Sequence, residues 1–280
     1  MIDLTTVLQT ANVRQAVIVD DAYDDVPVAN DLSQDAAKWT QFFEDLNPAD
    51  EQQLVALFPR YGELRADQLP GENEFIALLW RERAHLRAAV ITPLFERYAA
   101  DKAQDLGYLK NLTDCLDRTT IHYETAGRTF EEKAAGADLV IIDLFLGSAQ
   151  DDEAMRIAIA GLKKVIERRP ANPPLVVLMS RSGRLEAKRI EFRDHVGLFE
   201  SGFRIIRKAE LAEDGTLARV LARLATHYPD SLKLAAFLHA WKAGLGRACG
   251  RTADLIRTLD LPDYAQIQQL LLAEEAEPVT

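Results

Sequence analysis

The run Asp138-Leu-Val-Ile-Ile-Asp143, followed by Leu-Phe-Leu-Gly147, limits what this chain can become more than any other stretch. A compact apolar run rich in β-branched residues, closed by a carboxylate and soon after by a glycine, predicts a strand buried on both faces with an acid at its carboxyl end. Strands of that kind belong to parallel sheets covered by helices, and such sheets carry their chemistry at the carboxyl edge.

Other stretches repeat the pattern. Gln15-Ala-Val-Ile-Val closes on Asp20 and Asp21, Leu175-Val-Val-Leu-Met closes on Ser180, and the shorter Phe203-Arg-Ile-Ile-Arg closes on Lys208. Alternation over Thr119–Tyr123 supplies a fifth strand. Helical periodicity falls between them, over Asp151–Arg169, Arg184–Phe199 and Leu211–His227, with a short helix over Phe130–Ala135 capped by Thr129. Strands alternating with helices predict an α/β fold, a doubly wound five-stranded parallel sheet with right-handed crossovers.

The interval between the first two strands breaks the rhythm. It holds about a hundred residues, where ordinary connections run to about 2–6. We expect an inserted helical subdomain over about 31–117. Asp31 or Ser33 would cap a helix through Trp39, Phe42 and Phe43, and another would follow Pro48 and end at Pro59. A long helical region over 72–117 would be kinked or broken at Pro93 and Gly107. The expected organisation is an α/β domain over 1–228 interrupted by this insertion. A helical segment over 229–280 would follow, broken near Gly244–Gly250 and at Pro262.

Composition narrows the class. The chain has 280 residues, 48% of them hydrophobic, enough for a substantial core. No window approaches a membrane span and the first residues lack the features of a signal peptide, so a cytoplasmic location is expected. Cys115 and Cys249 lie far apart in helical contexts and read as buried thiols, without a disulfide framework or a cysteine metal site. The net charge of −11 argues against nucleic-acid binding over the whole surface. The basic run Lys233–Arg257 reads more simply as a solvated helix face.

Taken together, the strand ends place Asp20, Asp21, Asp143, Ser180 and Lys208 at one edge, converging on a single pocket. Three carboxylates held together raise one another's pKa unless a cation neutralises them, and Mg²⁺ suits an oxygen-only site that keeps several waters. With that charge screened, Asp143 could attack a phosphoryl group, Lys208 would pair with the charge that develops, and Ser180 would donate a hydrogen bond to it.

This order of residues resembles the receiver domain of two-component response regulators: an acid pair after strand one, a phosphorylated Asp after strand three, a hydroxyl after strand four and a lysine after strand five. The resemblance covers about 13–23 and 119–227. It implies strand order 2-1-3-4-5 and Asp143 as phospho-acceptor, with Ser180 and Lys208 assisting. It further implies Mg²⁺ bound by Asp21, Asp143 and the Phe145 backbone carbonyl, with Asp20 acting mainly through water. The implied partners are a histidine kinase or phosphotransfer protein and a downstream protein effector, with no nucleic acid and no membrane. A homodimer through the insertion or the C-terminal helices is compatible with it. The chain departs from the family's pattern at Gly147 and Ala209, where prolines are usual. It departs also at Arg181, where a small residue is usual, and at Ile205, where an aromatic is usual.

Two other functions compete. Arg181, Ile205 and Ala209 suit a degenerate receiver that is never phosphorylated and serves as an interaction scaffold. A Mg²⁺-dependent phosphohydrolase with Asp143 as nucleophile is the third reading, but the chain has Phe145 where haloacid-dehalogenase-like phosphatases carry a second acid, two residues on, as general acid.

Overall fold

The computed structural model describes residues 3–33, 36–213 and 215–274. Helix α1 (Leu4–Thr10), capped by the Asp3 side chain, leads into β1 (Gln15–Val19). The insertion contributes α2 (Ala36–Glu44), α3 (Pro48–Leu57), α4 (Asn73–Glu82) and α5 (Ala88–Asp117). Then come β2 (His122–Ala126), α6 (Glu131–Ala134), β3 (Leu139–Asp143), α7 (Asp152–Arg168), β4 (Leu175–Ser180) and α8 (Leu185–Val196). The last described elements are β5 (Phe203–Arg207), α9 (Thr216–Arg257) and α10 (Leu261–Glu274).

All five strands are parallel, in the order β2-β1-β3-β4-β5, the α/β sheet that the sequence predicts. Strand order reverses beside β1, so a crevice opens between the carboxyl ends of β1 and β3. Register aligns those ends: Val19 lies beside Ile142, Asp143 beside Met179 and Ser180 beside Arg207.

Alternation along the strands builds two cores. Ala16, Ile18, Leu139, Ile141 and Val177 face α1, α9 and the C-terminal half of α5. Val17, Val19, Val140, Ile142 and Leu178 face α6, α7 and α8. A third core belongs to the insertion, where Trp39, Phe42, Phe75 and Leu79 surround the N-terminal half of α5. Helix α5 is therefore a strut with Val90–Tyr98 in the inserted core and Leu109, Leu112 and Leu116 on the sheet.

Several boundaries differ from expectation. The long helical region breaks at 83–87, where the Arg87 guanidinium turns to Asp50 at 2.9 Å, while α5 runs unbroken through Pro93 and Gly107. Strand β2 begins at His122 because Thr119 closes α5, donating to the Leu116 carbonyl and accepting from Ile121 N. Asp31 does not cap α2: its carboxylate accepts from Val28 N and is engaged by Arg128. Nor does Thr129 cap α6, whose N-cap is Phe130.

Helix α9 is 42 residues long and passes through Pro229 and the three glycines without a break, so the boundary expected at 228/229 falls inside one helix. Each glycine lowers helix propensity by about 1 kcal/mol without removing a hydrogen bond, which weakens a helix but does not end it. Cys249 is exposed, contrary to the buried thiol expected, and Cys115 is half-buried. Among the described residues no helix is long and apolar enough to cross a membrane.

Candidate functional site

The loop after β1 turns at once. Asp20 stays extended and its Oδ1 accepts from Ala22 N at 3.0 Å, which caps a single turn over Asp21–Tyr23. That turn holds Asp21 at the mouth of the crevice beside buried Asp20. Asp143 ends β3, and its Oδ1 accepts from Phe145 N at 3.1 Å. Lys208 follows β5 directly and is fully buried, with Nζ 2.5 Å from Asp143 Oδ2 and 2.6 Å from Asp20 Oδ2. Ser180 ends β4, is buried, and its Oγ accepts from Ser182 N at 3.1 Å. The structure thus assembles all five side chains at one edge. The Phe145 ring is buried in the core behind them, beneath the Arg184 guanidinium at 4.8 Å.

Sequence reasoning missed the residues that the insertion sends into this edge. Asp105 of α5 accepts from Lys208 Nζ at 2.8 Å. Arg181 places Nε 3.1 Å from the same carboxylate and also reaches Asp101 and Gln104. Tyr98, Asp101, Asp105 and Arg181 line a small cleft with Asp21 and Asp143. A signal was present: Asp105 lies four residues before Leu109, on the stripe that continues through Leu112 and Leu116. An acid on a buried helical stripe needs a buried partner.

A second node, at Arg128 in the loop after β2, was also missed. Its guanidinium lies 2.5 Å from Asp24, 2.5 Å from Asp31 and 3.5 Å from Asp21, and its Nε donates to the Leu146 carbonyl. Asp31 also accepts from Ser148 N at 3.1 Å. One arginine therefore ties together the loops after β1, β2 and β3 and fixes Asp21 from behind.

Burial dominates the electrostatics. It raises the Asp20 carboxyl to about 6 against the pull of Lys208, and it lifts Asp21, Asp143 and Asp105 above the usual carboxylate range. Burial alone would depress Lys208, but Asp143, Asp20 and Asp105 outweigh it and hold the ammonium charged. Negative charge exceeds positive at the crevice floor, the condition that a bound cation relieves.

The donor set fits a hard divalent cation such as Mg²⁺. One oxygen from each of Asp20, Asp21 and Asp143 lies within 4.8 Å of the others. Among the described residues, the buried side-chain polar atoms without a hydrogen-bond partner are Asp20 Oδ2, Tyr98 OH and Ser201 Oγ, and the first two belong to this site. Asp20 Oδ2 forms an ion pair with the Lys208 ammonium at 2.6 Å, and a carboxylate oxygen so engaged keeps a further lone pair for a cation or its waters.

Comparisons of the chain with protein-family models, with curated proteins and with solved structures find no match.

Proposed function

We propose that this protein is an atypical receiver-type signalling protein that accepts a phosphoryl group on Asp143 in a Mg²⁺-dependent reaction. The observation that carries this reading is Lys208 Nζ, 2.5 Å from Asp143 and 2.6 Å from Asp20, beside three carboxylates whose oxygens fall within 4.8 Å. A buried ammonium against the acceptor carboxylate stands where charge develops on a transferring phosphoryl group.

In the proposed step an Asp143 oxygen forms the new bond to phosphorus while the phosphorus–nitrogen bond of a partner's phosphohistidine breaks. The electron pair leaves on the imidazole nitrogen, which takes a proton from solvent. Mg²⁺, held by Asp21, Asp143 and the Phe145 carbonyl with Asp20 behind, would supply charge neutralisation and a ligand position for a phosphoryl oxygen. Lys208 and Ser180 position that oxygen. Because Lys208 also holds Asp105, phosphorylation competes with the contact that docks α5 on the sheet. Output would pass along α5 into the inserted core and on to a protein effector.

A scaffold reading is favoured by one observation: Asp105 and Arg181 pair above Asp143, on the ground a phosphoryl group would take. Incubation with Mg²⁺ and acetyl phosphate separates the two. Hydroxylamine-labile label of about one phosphate per chain, lost in Asp143→Asn, is expected. Absence of label, or label unaffected by the substitution, would leave the scaffold reading, and release of many phosphates per chain would make the protein a hydrolase.

A further inference from the structure

Helix α9 outruns the domain in which it starts. As far as Ala235 it buries Leu217, Leu221, Leu224 and Tyr228. From 236 to 257 no residue is buried, a bare extension of about 33 Å at 1.5 Å per residue. Its apolar residues are not scattered. Leu234, Phe237, Trp241, Leu245, Leu255 and Ile256 fall on one stripe about 100° wide, the width that a core-facing helix presents. Phe237 is 63% exposed, Trp241 53% and Leu255 68%.

Helix α10 does not cover that stripe. Leu261 is 83% and Leu270 69% exposed, while Tyr264 turns back to α9, its hydroxyl donating to the Ile256 carbonyl at 2.8 Å. In folded proteins most helical stability comes from packing of an amphipathic face, and the described residues offer this face no such packing.

Charge indicates what covers it. Residues 236–257 carry Lys242, Arg247, Arg251 and Arg257 against Asp254, whereas 258–274 carry Asp260, Asp263 and Glu274 and no basic residue. The arm is therefore complementary to itself, its basic part against its acidic part.

We propose that a second copy of this chain covers the arm. The two arms, each made of α9 beyond Ala235 together with α10, pair about a two-fold axis. The acidic start of α10 in one copy then lies beside Lys242 or Arg251, which border the stripe on its two sides in the other copy's α9, and the aromatic stripes meet in the centre. Such an isologous contact buries the same patch on both copies. With Phe237, Trp241 and at least five large aliphatic side chains from each copy, the buried area is on the order of 1,000 Å² or more, the range of a specific interface. A nucleic-acid partner would use the basic flanks and leave the apolar stripe in water. The assembly is independent of the phosphoryl chemistry proposed above.

Sedimentation velocity of the full chain over a concentration series tests it. The expected species has twice the 31.3 kDa chain mass and weakens with salt. Trp241→Asp with Leu245→Asp should shift it to the monomer, with the thermal transition of the α/β domain retained. Ile190→Asp, on the exposed face of α8, should leave the dimer intact. Arg251→Glu should weaken association and Asp263→Lys in the same chain should restore it. Hydrogen exchange gives a readout free of variants: amides of 236–257 should be protected, and the protection should fade on dilution. A wild-type monomer at every concentration, whether or not it shifts with duplex DNA, overturns the proposal. So does a dimer that survives the double substitution, or one lost with Ile190→Asp.

Discussion

Asp105, on the inserted helix α5, lies 2.8 Å from the Lys208 ammonium at the end of β5, although 103 residues separate them in the chain. Lys208 has no exposed surface and Asp105 very little, so this is a buried, charge-assisted hydrogen bond between the insertion and the sheet. It places the inserted subdomain in direct contact with the group that also holds Asp143. One ammonium is thus shared between α5 and Asp143, and in the proposed reaction a phosphoryl group on Asp143 would compete with Asp105 for it.

Asp105→Asn should therefore speed labelling of Asp143. The amide keeps a neutral hydrogen bond to Lys208 but gives up the charge, a difference of about 1–1.5 kcal/mol. That corresponds to roughly tenfold in rate if opening of this contact precedes transfer. Initial rates with acetyl phosphate in Mg²⁺, wild type beside Asp105→Asn, measure it. An unchanged or slower rate would show that α5 does not guard the site.

The metal-free protein should lose stability as pH rises through the acid range. Burial lifts Asp20 from 3.8 to about 6, so the native state holds this proton more tightly than the unfolded chain does. The stabilisation is fully present below 3.8 and is lost as pH passes through about 6. The buried Asp21, Asp105 and Asp143, all raised, act in the same direction. Urea midpoints in a chelating buffer should fall between those limits, and Asp20→Asn should flatten the fall. Mg²⁺ favours the ionised carboxylates and should restore stability on the alkaline side, by about 2.7 kcal/mol at a hundred times its Kd. A midpoint indifferent to Mg²⁺ at neutral pH would remove the metal from the site.

What the sequence disclosed follows from range. Strands β1, β3 and β4 were legible because burial on both faces demands an unbroken apolar run, and the residue closing each run is read directly. Helix starts capped by a local side chain were legible for the same reason: Asp151 accepts from Ala154 N at 2.8 Å to start α7. Asp105 and Arg128 were not, because the carboxylates and ammonium they pair with lie far off in the chain, Lys208 at 103 residues from Asp105 and Asp21, Asp24 and Asp31 at 97–107 from Arg128, and neither residue sits at a strand end. The continuity of α9 through Pro229 was hidden too, since a proline in a helix interior ordinarily kinks or ends the helix.

Arg128→Met tests the loop anchor apart from the chemistry. Its guanidinium offsets Asp21, Asp24 and Asp31, and the Asp31 side chain has no exposed surface. Removing one partner from a buried ion network leaves uncompensated charge, at about 3–5 kcal/mol. Urea denaturation should show that loss, and adding Asp31→Asn to Arg128→Met should recover part of it. Additive losses in the double variant would mean the two side chains do not act as a unit.

Gly161→Ala sets helix propensity against packing. Gly161 lies in the middle of α7, where alanine would ordinarily gain about 1 kcal/mol. A Cβ at this position would stand 2.6 Å from Cζ and 2.7 Å from Cε1 of Phe130, whose ring is fully buried beneath the helix. Phe130 precedes α6 and packs in the core behind β3, so it cannot retreat toward solvent. Overpacking of this kind costs about 1–3 kcal/mol, which equals or exceeds the propensity gain. Gly161→Ala should thus leave the protein no more stable than wild type and by up to about 2 kcal/mol less stable. In a Phe130→Leu background the clash is relieved and the same substitution should stabilise. Thermal denaturation of the four proteins in this cycle measures the coupling between the two positions. A stabilising Gly161→Ala in the wild-type background would show that α7 sits further from β3 than its contact with Phe130 requires.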